Sequence, residues 1–403
     1  MLSWVKYIYV PKLLSLRILN LNYIGPSGAG KSTLLDLLAR RKEGGTWSGE
    51  ILINNKPRSK NFKDEIAYVL QDDLHIPNLT VEETILFFVR TKSEKTISSD
   101  ESAVKARVDY LIDLLELGDV RHSLVGGGII KGISGGQSRR LSIAVALVVL
   151  PNLIFFDELT SGLDSVIALD LMRTVRKLID PKKLCITTIH QPSKEIFELF
   201  DLLAILSSGN LIYFGEAKKA VEYFSQPSLR YRFGGDVVDN PAEFLIAISD
   251  SRVASYTEKG EENENRRSSR ELSDIFENSD ARRVNQELRE KYLLQSAEPG
   301  EGGQVSRERI SLVEQFVLLI QRSFKTVSRN TSVIYADLLQ SFAAGILMGV
   351  AFYGLAWINY PIFHTTNDDG GGDWDDVVFN LPSLFYWNME YTILKNISTI
   401  PQM

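Results

Sequence analysis

Eight consecutive residues constrain this chain more than any other feature: Gly25-Pro26-Ser27-Gly28-Ala29-Gly30-Lys31-Ser32. They fit G-x-x-x-x-G-K-[ST], the phosphate-binding loop. Glycines let successive backbone N–H groups turn inward on phosphate oxygens. Lys31 reaches the β- and γ-phosphates, and the Ser32 hydroxyl is suited to ligate Mg²⁺. Residues 33–40, starting at Thr33, read as a helix whose positive N-terminal end faces the anion.

The surroundings fit such a loop. From 18 to 215, short apolar runs alternate with segments of helical period. Residues 51–53, 66–70, 153–156, 184–189, 202–206 and 211–214 read as strands, and 82–89, 104–117 and 166–179 as helices. In the last, Val166, Leu169, Met172, Val175 and Ile179 are expected on one buried face. Strands alternating with helices predict an α/β domain with a largely parallel sheet, here over residues 1–248. A net charge of −6 leaves no basic surplus, which excludes nucleic acid as a partner. The single cysteine, Cys185, precludes an intrachain disulfide and reads as a buried strand residue. The first ten residues lack the basic start and cleavage site of a signal peptide.

The character then changes. Residues 249–309 are charged and poor in aliphatics, with Glu258-Lys259-Gly260-Glu261-Glu262, Arg266-Arg267 and a Gly/Glu-rich patch at 298–303. They read as a partly disordered linker with one helix at 280–294. Residues 312–330 suit an amphipathic connecting helix. In 338–358 only Gln340 and Ser341 are polar, which suits a first membrane span of about 20 residues. Lys325 and Arg329 before it predict a cytoplasmic flank. A second apolar segment, 377–400, reads as part of a further span, so 310–403 would begin a membrane domain.

Further motifs carry chemistry. Ile133-Ser134-Gly135-Gly136-Gln137 precedes a long apolar helix, and its glycines permit close backbone approach to a phosphate at a helix N-terminus. Leu153-Ile154-Phe155-Phe156-Asp157-Glu158 is a buried strand ending in two acids. Paired acids after a strand also occur as solvated turns. Following a phosphate loop they suit an Asp157 that holds Mg²⁺ through water and a Glu158 that polarises the hydrolytic water.

Together these motifs resemble the ATP-binding-cassette ATPases, with Ile133 to Gln137 similar to their LSGGQ signature. The resemblance implies ATP and Mg²⁺ as cofactors. It implies that Gln71 contacts Mg²⁺ and the attacking water, and that His190 contacts the γ-phosphate. It implies that Ser161-Gly162-Leu163-Asp164 crosses a dimer interface. Ser134, Gly135, Gly136 and Gln137 would face the nucleotide of a second subunit. His75, His122 and His364 read as structural. Phe156-Asp157-Glu158-Leu159-Thr160-Ser161-Gly162-Leu163-Asp164-Ser165, Thr188-Ile189-His190-Gln191-Pro192-Ser193 and Asn240-Pro241-Ala242-Glu243-Phe244 resemble the white, or G, subfamily of ABC transporters. Members are half-transporters with the nucleotide-binding domain first and six membrane helices after it. The resemblance implies an integral membrane protein with a cytoplasmic cassette. It implies ATP-driven export of amphipathic or lipid-like molecules, and contact with membrane lipid and a second half-transporter.

The chain departs from that pattern in three ways. Residues 18–24 run straight into Gly25, without the antiparallel strands expected beforehand. Leu159 replaces a proline that would preset the turn. Most of the membrane helices are missing. Two other readings stand beside the transporter: a truncated ATP-binding regulator of a partner half-transporter, and a soluble ABC ATPase.

Overall fold

The computed structural model describes residues 20–363, except 43, 50, 54–55, 60–61, 128–129, 179–182, 230, 232, 234–238, 251–266 and 296–309. In chain order the elements are β1 (Asn20–Ile24), α1 (Lys31–Leu38), β2 (Leu52–Ile53), β3 (Lys56–Pro57), α2 (Phe62–Glu65) and β4 (Ile66–Val69). Next come α3 (Val81–Lys92), α4 (Lys95–Ser98), α5 (Glu101–Leu114), α6 (Gly135–Leu147), β5 (Leu153–Phe156), α7 (Ser165–Leu178), β6 (Leu184–Thr188) and α8 (Lys194–Phe197). The remainder are β7 (Leu202–Ser207), β8 (Asn210–Glu216), α9 (Ala217–Phe224), α10 (Pro241–Ser249), α11 (Ser269–Glu277), α12 (Asp280–Gln295), α13 (Leu312–Arg329) and α14 (Thr331–Phe363). The chain divides into two units, Met1–Asn330 and Thr331–Met403.

The main sheet has the order β4-β5-β6-β1-β7-β8, parallel except for β8, which returns antiparallel to β7. Its strands are apolar on both faces because both are covered. Leu21, Tyr23, Phe155, Ile186, Ala204 and Leu206 pack on the α1 side with Leu35 and Leu38. Their neighbours Ile24, Ile154, Phe156, Cys185, Leu203 and Ile205 pack on the other side with residues of α3, α5, α6 and α7. This strict period of two turns each strand into a two-sided core, and it buries Cys185 as expected. A separate two-stranded sheet pairs β2 with β3 antiparallel.

Helix starts follow their capping residues. Thr80 with Glu83, Ser134 with Gln137, Ser268 with Glu271 and Ser311 with Glu314 each form a capping box. The expected helix at 104–117 runs from Glu101 instead, where Asp100 accepts from the Ser102 N–H at 2.9 Å.

Two expectations need correction. The buried stripe of α7 is Ala168, Leu171, Met172 and Val175, whereas Val166 is 74% exposed. At 100° per residue Val166 lies on the opposite side of the helix from that stripe. Ile179 lies outside the described residues. The charged segment holds two helices rather than one. In α11, Leu272 and Phe276 are buried and pack into the main core cluster. Asn285 on α12 donates to the Phe214 carbonyl of β8 at 2.6 Å.

Helix α13 lies against the start of α3. Asn78 donates to the Thr326 carbonyl at 3.2 Å, and Arg329 donates to the Asn78 carbonyl at 3.0 Å. Lys325 and Arg329 both pair with Glu83, at 3.1 and 2.9 Å. Arg322 lies over the Phe87 ring at 4.5 Å. Its apolar residues Leu312, Val313, Phe316 and Phe324 are exposed.

In the second unit, α14 contains the expected span 338–358, and Leu338, Leu339, Phe342 and Leu347 are exposed. Among the described residues no single helix is long and apolar enough to cross a membrane. The expected second span, 377–400, lies outside the described residues.

Candidate active site

Strand β1 delivers the chain into the phosphate loop. A Cβ on Gly25 would lie 2.2 Å from the Leu206 carbonyl oxygen of β7, so only glycine lets the loop leave the sheet there. Gly28 and Gly30 have left-handed φ values of 80° and 97°. Gly30 caps α1 without a side chain, and the first turn of α1 contains no acid. That helix end therefore remains available to an external anion. Lys31 is buried, and its Nζ donates to the Gly25 and Pro26 carbonyls at 2.8 and 3.0 Å. Burial pulls its pKa down, and the charges of Glu158 and Asp157 act against that pull.

The acid pair sits at the end of β5. Ser32 Oγ donates to Asp157 Oδ1 at 2.9 Å. The Thr188 hydroxyl, on the adjoining β6, donates to the same oxygen at 2.8 Å and accepts the Glu158 N–H at 2.8 Å. One hydroxyl thus aligns both acids, using its donor and an acceptor lone pair. Tyr68 donates to Asp36 at 2.9 Å and lies 3.4 Å from Asp157 Oδ2. Glu158 has a φ of 46°, rare for a non-glycine residue, and its side chain accepts from Gln71 Nε2 at 2.8 Å. His190 Nε2 lies 3.1 Å from Ser27 Oγ.

The phosphate loop, Gln71, the Asp157-Glu158 pair and His190 therefore converge, from four separate segments, at the carboxyl ends of parallel strands, where α/β sheets place their ligands. Ser134, Gly135, Gly136, Gln137 and Asp164 form a second cluster. Ser134 and Gln137 cap α6 reciprocally, at 2.9 and 3.3 Å. Asp164 accepts the N–H groups of Val166 and Ile167 at the start of α7, at 3.1 and 3.0 Å. A Cβ on Gly136 would lie 2.6 Å from Ile167 Cγ2, so glycine lets the two helix starts close on each other.

Residues 20–161 match the protein family described as ABC transporter. The chain is 34% identical to the broad substrate specificity ATP-binding cassette transporter ABCG2 of Rattus norvegicus, over 82% of this chain and 52% of that one. It is 39% identical to ABC transporter G family member 22 of Arabidopsis thaliana, over 57% of this chain and 30% of that one. Identity to ABC transporter G family member 26 of the same plant is 32%, over 82% of this chain and 48% of that one. The chain belongs to the ABC transporter family, in its G branch. It spans about half the length of the curated relatives it matches.

Several residues of this site carry little signal in the sequence. Thr188 appears in a quoted motif, but its role emerges only from the β5–β6 register, which sets Phe156 beside Thr187. Tyr68 and Asp36 carried no signal. Asn240, quoted only for resemblance, donates to the Pro192 carbonyl at 3.0 Å and so braces the turn that follows His190. Leu159, at the place of the family proline, is buried in the core.

The residues fit Mg²⁺. Ser32, Gln71 and Asp157 offer hard oxygen donors, and Ser32 and Asp157 already meet at 2.9 Å. Mg²⁺ takes one or two protein ligands and completes its shell with phosphate and water.

Proposed function

We propose that this chain is the ATP-hydrolysing part of a G-branch half-transporter. Residues 1–248 are the cassette, 249–309 the linker, and 310–403 the connecting helix with the start of the membrane domain. The observation that carries this reading is the hydrogen bond between Ser32 and Asp157, which sets the phosphate loop against the acid-bearing strand. Gly25 to Thr33 wrap the triphosphate, and Lys31 turns from the loop carbonyls to the phosphates. Ser32, Gln71 and Asp157 hold Mg²⁺, which neutralises phosphate charge when bound. Glu158 accepts the proton of the attacking water, and Gln71 keeps the carboxylate oriented. His190 reaches the γ-phosphate.

Ser134, Gly135, Gly136, Gln137 and Asp164 act on the nucleotide of a second half-transporter, so two chains close on two ATP molecules. Differential ATP affinity for the closed form biases the membrane helices between two states. The cargo is amphipathic or lipid-like. The exposed apolar residues of α14 support contact with lipid, and the cassette lies on the cytoplasmic side.

The test uses cell membranes carrying the chain. Extraction by detergent but not by carbonate is expected, together with a Glu158→Gln variant that shifts from monomer to dimer on adding Mg²⁺ and ATP. Release by carbonate would favour a soluble ABC ATPase, and absence of the shift would refute the paired cassette.

A further inference from the structure

We infer that Arg139 is a positioning residue for ATP hydrolysis: it clasps the loop that carries Gln71 onto helix α6 and thereby sets where the Gln71 amide meets Glu158. The inference rests on the function proposed above.

Residues 70–75 follow the end of β4. Among the described turn and loop contacts, no backbone-to-backbone hydrogen bond engages them. Their place is set by side chains of α6 instead. The Arg139 side chain is 6% exposed. Its Nη1 donates to the Leu70 carbonyl at 2.9 Å and to Asp73 Oδ1 at 3.1 Å, and its Nη2 donates to the Gln71 carbonyl. A planar guanidinium can hold two successive carbonyls and a carboxylate at once, because its donors are fixed in a fork.

The same helix face adds a second row. Ser142, one turn along from Arg139, donates to Asp73 Oδ1 at 2.6 Å. His75 Nε2 lies 2.9 Å from Ser142 Oγ and 3.2 Å from the Ser138 carbonyl. Burial holds the His75 pKa below the usual range, which favours a neutral ring that donates through Nε2. Residues at both ends of the loop, 70–71 and 73–75, are thus tied to one face of α6.

A buried guanidinium is costly unless fully paired, and an apolar side chain would fill the same space without that cost. What the arginine adds is direction. It holds the Gln71 carbonyl, and the Gln71 side chain reaches Glu158 from that anchor at 2.8 Å.

The test uses the full chain purified in detergent, with Arg139→Met, which keeps the stem and removes the donors. Chymotryptic cleavage after Leu74, which is 77% exposed, is expected to accelerate about tenfold while cleavage elsewhere in the cassette stays unchanged. The kcat for ATP is expected to fall about tenfold with KM within about twofold, and Arg139→Lys to recover part of both. Should Arg139→Met fail to fold, Ser142→Ala and Asp73→Asn loosen the other side of the clasp and are expected to speed cleavage after Leu74 about threefold. Unchanged cleavage, or faster cleavage with an unchanged kcat, overturns the inference. A parent chain that hydrolyses no ATP refutes the proposed function instead, and the cleavage measurement alone then decides whether the clasp exists.

Discussion

Ser32 and Asp157 lie 125 positions apart in the chain, and their side chains meet at 2.9 Å. Asp157 stands beside Glu158, so this contact brings the proposed general base to the phosphate loop. Glu158→Gln keeps the shape of the side chain but cannot accept a proton. It is expected to bind ATP normally and to lose about 10²–10⁴ in turnover. Lys31→Ala is expected to lose binding itself, because it removes a buried ammonium aimed into the loop. Nucleotide titration and phosphate release, measured on both variants, separate the two roles. Normal hydrolysis by Glu158→Gln would remove Glu158 from the chemistry.

Thr188 connects the two acids through one hydroxyl, bonded to Asp157 and to the Glu158 N–H at 2.8 Å each. Thr188→Val removes the hydroxyl and leaves a buried N–H without its partner. A stability loss of about 1–3 kcal/mol is expected. Turnover should fall about tenfold through misalignment of Glu158, with ATP affinity nearly unchanged. Thr188→Ser should restore both. Equal damage from Ser and Val would assign Thr188 to packing alone.

Thr188 also marks the limit of what the sequence discloses. The phosphate loop, the signature and the acid pair are local strings, so their residues and chemistry are legible without a structure. The strands are legible because burial on both faces leaves continuous apolar runs. Thr188 and Arg139 act across elements, through strand register and a helix face, and nothing in their own neighbours marks them. Helix α11 was hidden by composition: charged residues surround the two buried anchors Leu272 and Phe276. The α7 stripe is ambiguous in the sequence because Val166 counts as apolar although it is exposed.

Glu83 carries a pH-dependent joint. Burial alone would raise its pKa, but hydrogen bonds from Arg329, the Thr80 N–H and Lys325 outweigh that effect and pull it down to about 2. Its folded value lies below its unfolded one, so the stabilisation is complete above pH ~4.5 and is lost as pH falls towards ~2. Lys325 and Arg329 are partly exposed, which limits the gain. Glu83→Gln is expected to cost about 1–2 kcal/mol at pH 7. The difference in melting temperature between variant and parent should shrink steadily below pH ~4.5. A pH-independent difference would mean that the carboxylate charge is not what holds α13.

Asn22 is a polar residue in the middle of the sheet. It is fully buried, and its Oδ1 has no hydrogen-bond partner among the described residues. Its Nδ2 reaches the Asn20 carbonyl only at 3.5 Å. Thr187, its neighbour across the β1–β6 register, also has an unpartnered hydroxyl oxygen among the described residues. An unsatisfied buried group costs about 1–3 kcal/mol. Asn22→Val removes the amide and suits a central strand, so a gain of about 1–2 kcal/mol is expected from denaturant midpoints. A loss would mean that the amide oxygen has a partner beyond the described residues.

The charged segment 249–309 is more than a tether wherever α11 docks. Phe276 is fully buried, with ring centroids of Tyr213 and Tyr223 at 6.1 and 6.2 Å. Phe276→Ala is expected to cost about 3–5 kcal/mol, the usual penalty for emptying a packed aromatic site. Val284 on α12 is 53% exposed. Val284→Ala should therefore stay within about 0.5 kcal/mol. Urea denaturation of the two variants distinguishes the arrangements. A segment that only joins two domains would tolerate both changes equally. A segment whose first helix completes the cassette core would lose stability at Phe276 alone, and removing residues 269–277 would then unfold the cassette instead of merely freeing it.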